Sequence, residues 1–205
     1  MSERVSRLPV LVSLWVCSAC LALAQTPSGD EAIWKAFLGW PDVQQPNSKP
    51  VELIRAYKAN LIRDGVPAVE AEDRMGVISK FIFTRHKGVE LLWNKVYAGH
   101  NPIFMQTPTA LVVGAVEGRR PGKALDVGMG QGRNSVFLAA QGWEVTGFDP
   151  SDEGVRIARS NAEKAGVKIR AVVARDDEFD YGSNQWDLIV ATYVRDLNSD
   201  DAKRF

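Results

Sequence analysis

Cysteine and histidine are scarce in this 205-residue chain, with two of each, and their placement excludes most of the chemistry they support. His86 and His100 lack metal-ligand spacing, so no metal site is expected. Cys17 and Cys20 both fall inside the apolar run "LPVLVSLWVCSACLALA", preceded by Arg4 and Arg7 and closed by Ala22-Leu23-Ala24 before Gln25. A basic start, an apolar stretch and a small-x-small triplet form a secretory signal pattern, with cleavage expected after Ala24. Within such a run the C-x-x-C spacing reads as apolar content rather than as a redox or zinc motif. Lipidation at Cys20 is disfavoured, because Cys17 stands where such a signal usually has leucine. The mature chain would then hold no cysteine, which excludes disulfides, a thiolate nucleophile and thiolate metal ligation. Export, periplasmic or secreted, is the expected destination. If uncleaved, the run is near the lower limit for a bilayer span and would anchor the chain to a membrane.

Net charge is also missing. Lys plus Arg and Asp plus Glu are 25 each, giving neither a basic field for nucleic acid nor an acidic tail. The chain carries no G-x-S-x-G nucleophile elbow, internal repeat or low-complexity tract.

What is present is a composition 45% hydrophobic, ample for a buried core, in two differently patterned stretches. Residues 25–106 read as helical. "DEAIWKAFLGW" is a short amphipathic helix stopped by Pro41, and "PDVQQPNSKP" is a connector. Asn47 or Ser48 precedes a second helix with Val51, Ile54, Leu61 and Ile62 near helical spacing and Gly65 as C-cap. A third stretch, Pro67 to Tyr97, is expected to break near Gly76 or Gly88, and "GHNPIFMQTP" reads as loop. Residues 107–205 open on a helix, about Thr107 to Val116, and the turn "EGRRPGK", a solvated turn rather than a phosphate patch. There the strands "KALDVG", "EVTGFD", "KIRAVVA" and "WDLIVATYV" follow, with "RNSVFLAAQG" and "EGVRIARSNAEKAG" as helices between the first three. That alternation predicts a parallel, doubly wound α/β sheet with right-handed crossovers.

The first strand runs into Gly128-Met129-Gly130-Gln131-Gly132, and a helix starts near Arg133 or Asn134. Glycine there allows positive φ and lets a ligand lie against bare backbone, at a helix N-terminus whose N–H groups are unfilled. Asp149 ends the second strand 21 positions after Gly128, close to the roughly 20-residue offset at which an acid reaches ribose hydroxyls. A carboxylate there accepts from a vicinal diol and repels a 2′-phosphate. Asp149 could instead cap the next helix. Dinucleotide enzymes use G-x-G-x-x-G, but position 133 is Arg and the third glycine comes one residue early.

With Asp126 two positions before the first glycine, "LDVGMGQG" resembles motif I of the class I S-adenosylmethionine-dependent methyltransferases. "GFDPS" is similar to their second-strand motif, "ARDDEFDYG" to their acidic loop and "WDLIVATYV" to their fourth strand. The stretch "PGKALDVGMGQGRNSVFLAAQGWEVTGFD" looks most like the tellurite-resistance-type small-molecule methyltransferases, and the likeness runs from about Tyr97 to Leu197. The resemblance implies a Rossmann-like sheet and S-adenosylmethionine as cofactor. It implies that Gly128, Gly130 and Gly132 cradle the aminoacyl and ribose portion, that Asp126 faces the methionine ammonium and that Asp149 holds the ribose diol. Asp176 or Asp177 would approach the adenine amine, Arg133 and Asn134 would shape the loop, and Tyr97 and Tyr193 would wall the transfer cleft.

Methyl transfer needs positioning and exclusion of water more than an acid–base pair, which fits the lack of an obvious catalytic dyad and leaves the catalytic residues unassigned. The acceptor is expected to be a small molecule. The family fold has seven strands; here four precede Phe205, with "NSDDAKRF" resembling a helix start, so the domain reads as C-terminally truncated. A nicotinamide-dependent oxidoreductase and a non-catalytic cofactor-binding fragment are the alternatives.

Overall fold

The computed structural model describes residues 29–40, 49–85, 87–98 and 106–192. The leader with Cys17 and Cys20, the connector residues 41–48, His86, His100, Tyr193 and "NSDDAKRF" lie outside the described residues.

Four helices come first. α1 (Asp30–Gly39) has Asp30 and Glu31 in its first turn, where the helix dipole favours negative charge, and buries Trp34 and Phe37. α2 (Pro50–Arg63) starts with the donor-less ring of Pro50, while the backbone N–H of Lys49 donates to Glu52 Oε2 at 3.1 Å. Lys49 is the cap residue of α2. The buried stripe of α2 differs in part from expectation. The expected Leu61 is buried and Ile54 packs against the core in part, but Leu53 and Tyr57 complete the inward face at four-residue spacing, while Val51 and Ile62 are 57% and 43% exposed. Gly65 closes α2 in the left-handed conformation (φ 92°), with its N–H on Ile62 O and that of Val66 on Leu61 O. α3 (Ala68–Thr84) runs straight through Gly76. The break comes at Arg85–Lys87, and α4 (Gly88–Tyr97) begins at Gly88, where an added Cβ would lie 2.2 Å from Phe81 O. Trp34, Phe37, Leu53, Tyr57, Ile78, Leu92 and Val96 form one apolar cluster between these helices.

The second half is α5 (Ala110–Val116), β1 (Lys123–Val127), α6 (Arg133–Ala140), β2 (Glu144–Asp149), α7 (Asp152–Lys164), β3 (Arg170–Val173) and β4 (Leu188–Ala191). The sheet order is β3-β2-β1-β4, every pair parallel, as the alternation predicts. Strands of a parallel sheet are covered on both faces, which is why β1 is buried from Ala124 to Val127. Ala124 and Val145 pack under Val112, Val116 and Leu138, from α5 and α6. Leu125, Val127 and Phe148 face the other way, beneath Phe179, Tyr181 and Trp186 of the segment between β3 and β4. Phe148 and Phe179 stack at 4.2 Å between centroids. After β1 the chain winds outward through β2 and β3, then returns to place β4 on the other side of β1. Ligands of such sheets bind at this switch point, beyond the carboxyl end of β1.

Candidate functional site

Beyond β1 the loop turns through Gly128, Gly130 and Gly132 at φ 63°, 53° and 76°, all left-handed. L-residues with a Cβ avoid that region, so the alternating glycines are a conformational requirement. The bareness is also steric. A Cβ on Gly130 would stand 2.5 Å from the Tyr97 hydroxyl, and one on Gly132 2.8 Å from Ala158 Cβ.

Asp149 organises the loop from the end of β2. Its Oδ2 accepts from Gly130 N and its Oδ1 from Ser151 N, both at 2.9 Å. The cap of α7 is Ser151, whose Oγ accepts from Gly154 N at 3.0 Å, so Asp149 does not serve as the cap. Each carboxylate oxygen keeps a second acceptor position. Burial raises the pKa of Asp149, and the two backbone N–H bonds pull it back.

Asp126 lies deeper, 1% exposed, one strand over. Ser135 Oγ donates to its Oδ2 at 2.6 Å. Desolvation pushes its carboxyl up to about 6; the Ser135 bonds oppose this, the charge of Asp149 adds to it, and Arg133 pulls the other way. Gly147 sits beside Asp126 in the register and makes the arrangement possible, since a Cβ there would meet Met129 Sδ at 2.4 Å and Ser135 Oγ at 2.9 Å. Among the described residues neither carboxylate has a salt bridge. Buried carboxylates normally acquire a cationic partner. Gln131, in the same loop and 9% exposed, holds a buried Oε1 with no hydrogen-bond partner among the described residues. Bare positive-φ backbone, two buried acids and an orphaned acceptor fit a cationic ligand carrying a diol.

The other residues expected at the site lie around it. Asp176 and Asp177 are on the exposed turn after β3, where the Tyr181 hydroxyl donates to Asp176 and Arg175 Nε pairs with Asp177 at 2.9 Å. Asn134 ties elements together: its Oδ1 accepts from Thr109 N at 2.9 Å and its Nδ2 donates to Thr192 Oγ1 at 3.0 Å. Arg133, half-buried, opens α6. Tyr97 is 8% exposed; its hydroxyl faces Gly130 and its ring lies against Gly154. Burial, then the charge of Asp149, raises its pKa.

Sequence reasoning missed Ser135, Ser151 and Asn94. Ser151 was within reach, as a serine just before a helical run is a cap signal. Ser135 and Asn94 were not, because their partners lie nine and 57 residues away in other elements.

Over residues 124–205 the chain matches a methyltransferase domain family. It is similar to TehB of Haemophilus influenzae, a probable S-adenosyl-L-methionine-dependent methyltransferase: 34% identity over 83 residues, 40% of this chain and 29% of that protein. A ubiquinone biosynthesis O-methyltransferase of Paramagnetospirillum magneticum is 43% identical over 70 residues, 34% of this chain and 28% of that one. A 23S rRNA (uracil(747)-C(5))-methyltransferase of Pyrococcus abyssi is 34% identical over 87 residues, covering 40% and 21%. The chain spans less than a third of the length of each of these relatives.

Proposed function

We propose that this chain, whose residues 124–205 match a methyltransferase domain family, is an S-adenosylmethionine-dependent methyltransferase of class I that transfers a methyl group to a small-molecule acceptor. The observation that supports it most is the pair of buried carboxylates, Asp126 of β1 and Asp149 of β2, that flank a positive-φ glycine loop and make no salt bridge among the described residues, Arg133 acting on Asp126 only through its charge. S-adenosylmethionine supplies a methyl group on a sulfonium, open to in-line displacement. The protein's part is to bind, orient and keep water out. Gly128, Gly130 and Gly132 let the backbone approach the ligand; Asp126 offers its charge to the ammonium; Asp149, already fixed by Gly130 and Ser151, accepts from the ribose diol. Asp176 or Asp177, on the turn after β3, would approach the adenine amine, and Tyr97, whose hydroxyl faces Gly130, would wall the cleft. A small acceptor is favoured because the chain has no net charge and lacks the excess of Lys and Arg that grips phosphate backbones.

Titration calorimetry of the purified chain with S-adenosylmethionine, its demethylated product S-adenosylhomocysteine and NAD tests the cofactor. The first two are expected to bind and NAD not. Asp149→Ala should weaken both ligands about ten- to hundredfold, the loss expected for hydrogen bonds to a charged acceptor. Unchanged affinity in that variant would overturn the assignment. Incubation with labelled methyl donor and either a small-molecule extract or RNA then decides the acceptor class.

The leader is proposed to direct export, with cleavage after Ala24. Its supports are Arg4 and Arg7, the apolar run and the Ala22-Leu23-Ala24 triplet. N-terminal sequencing of the chain recovered from the exported fraction should begin at Gln25. A chain still starting at Met1 in the membrane fraction indicates an anchor instead.

A further inference from the structure

Asp149 is held at two points, and α4 from the N-terminal helices touches both. Asn94 and Tyr97 lie one helical turn apart and project from the same side of α4. Asn94 Oδ1 accepts from Ser151 Oγ at 2.6 Å and, at 3.4 Å, from Glu153 N. Ser151 is wholly buried; its hydroxyl accepts from Gly154 N, and its own N–H is the donor to Asp149 Oδ1. Three residues along α4, the Tyr97 hydroxyl lies over Gly130, whose N–H donates to Asp149 Oδ2. Each of the two residues whose N–H orients the acid thus meets a side chain of α4, Ser151 through its hydroxyl and Gly130 beneath the Tyr97 hydroxyl. A serine hydroxyl has one proton, and that of Ser151 goes to Asn94. With Asn94 gone, a hydroxyl with no access to water would lack an acceptor, and the turn from Asp149 to Ser151 would rearrange to supply one.

We infer that Asn94 is a positioning residue for cofactor binding, acting through Ser151 to hold Asp149 in the orientation that receives the ribose diol, so that the N-terminal helices are part of the cofactor site. The inference rests on the methyltransferase reading above. A helix-capping role alone would make Asn94 matter to stability and not to the ligand, and the two roles separate in a double-mutant cycle.

The test is calorimetric titration of the full chain with S-adenosylhomocysteine for wild type, Asn94→Ala, Asp149→Ala and the double variant, each checked for native circular dichroism. Asn94→Ala is expected to weaken binding about tenfold, the size of one hydrogen bond, and to add less than about threefold in the Asp149→Ala background. Unchanged affinity in Asn94→Ala, or an equal loss in both backgrounds, overturns the inference. Should Asn94→Ala fail to fold, Asn94→Asp decides, since it keeps an acceptor oxygen for Ser151. It is expected to bind within about threefold of wild type, and a loss near tenfold overturns the positioning role. A folded wild type that binds no S-adenosylhomocysteine overturns the cofactor reading and this inference with it. A wild type that binds and responds to Asp149→Ala but not to Asn94→Ala overturns this inference alone.

Discussion

Burial pushes the Asp126 carboxyl up to about 6, against an ordinary value near 4 in an unfolded chain. Between those values the folded chain keeps a proton that the unfolded chain has released. Stability of the free protein therefore falls as pH rises from about 4 to about 6 and levels off above. Asp126→Asn should flatten that part of the profile, and urea midpoints of the two proteins at pH 4.5 and pH 7 measure it. Equal pH slopes would show that Asp126 is not the titrating group. Affinity should follow the opposite sign. A ligand ammonium favours the ionised carboxylate, so binding of S-adenosylmethionine releases a proton near pH 6 and strengthens as pH rises through that value. At pH 5 only about a tenth of a group with pKa near 6 is ionised, so affinity should be about tenfold lower than at pH 7. Asp149, raised by burial as well, deepens the loss at lower pH. An affinity flat from pH 5 to pH 7.5 would remove Asp126 from the ligand's reach.

At the scale of elements, the glycine loop is held by packing as well as by φ. Gly132 is at φ 76°, and a Cβ there would lie 2.8 Å from Ala158 Cβ and 3.3 Å from its Cα, which no side-chain rotation relieves. Gly132→Ala should cost about 2–4 kcal/mol, combining left-handed strain with overpacking against α7. Adding Ala158→Gly removes the Cβ clash but not the strain, and glycine inside α7 itself costs about 1 kcal/mol, so the pair should recover only part of the urea midpoint and leave about 2–3 kcal/mol lost. Full recovery would mean that φ is not strained. The same loop shows what the sequence could convey. Its glycines, the helix behind it and the strand Glu144–Asp149 follow from local residue types, because turn chemistry and β-branched runs act over a few positions. In α2 the apolar spacing points correctly to Leu61 and in part to Ile54, which packs against the core, but also to the exposed Val51 and Ile62, because only the neighbouring helices select Leu53 and Tyr57. The break before α4 goes with the close approach of Gly88 to the Phe81 and Ile82 carbonyls of α3, a contact between two helices that local residue types do not convey.

For the molecule as a whole, α4 is shared between two cores. Leu92 and Val96 pack with Trp34, Phe37 and Ile78, while Lys95 Nζ donates to Leu38 O at 3.2 Å. Asn94 and Tyr97 face α7 and the glycine loop. Apolar periodicity does not convey the contact of α4 with the loop and α7, since it is made by an amide and a phenol whose partners lie far along the chain. Two halves that share a helix should not respond to ligand separately. Saturation with S-adenosylhomocysteine at about one hundred times its Kd adds about 2.7 kcal/mol to the unfolding free energy of whatever unit binds it. Hydrogen exchange followed by mass spectrometry reads where that increment appears. We expect slower exchange in the loop 128–134 and the start of α7, and equally in Leu92–Tyr97 and the helix α3 against which α4 packs. Slowing confined to residues 106–192 would show that the helices open independently of the sheet. In that case α4 would be a neighbour of the cofactor site rather than one of its walls.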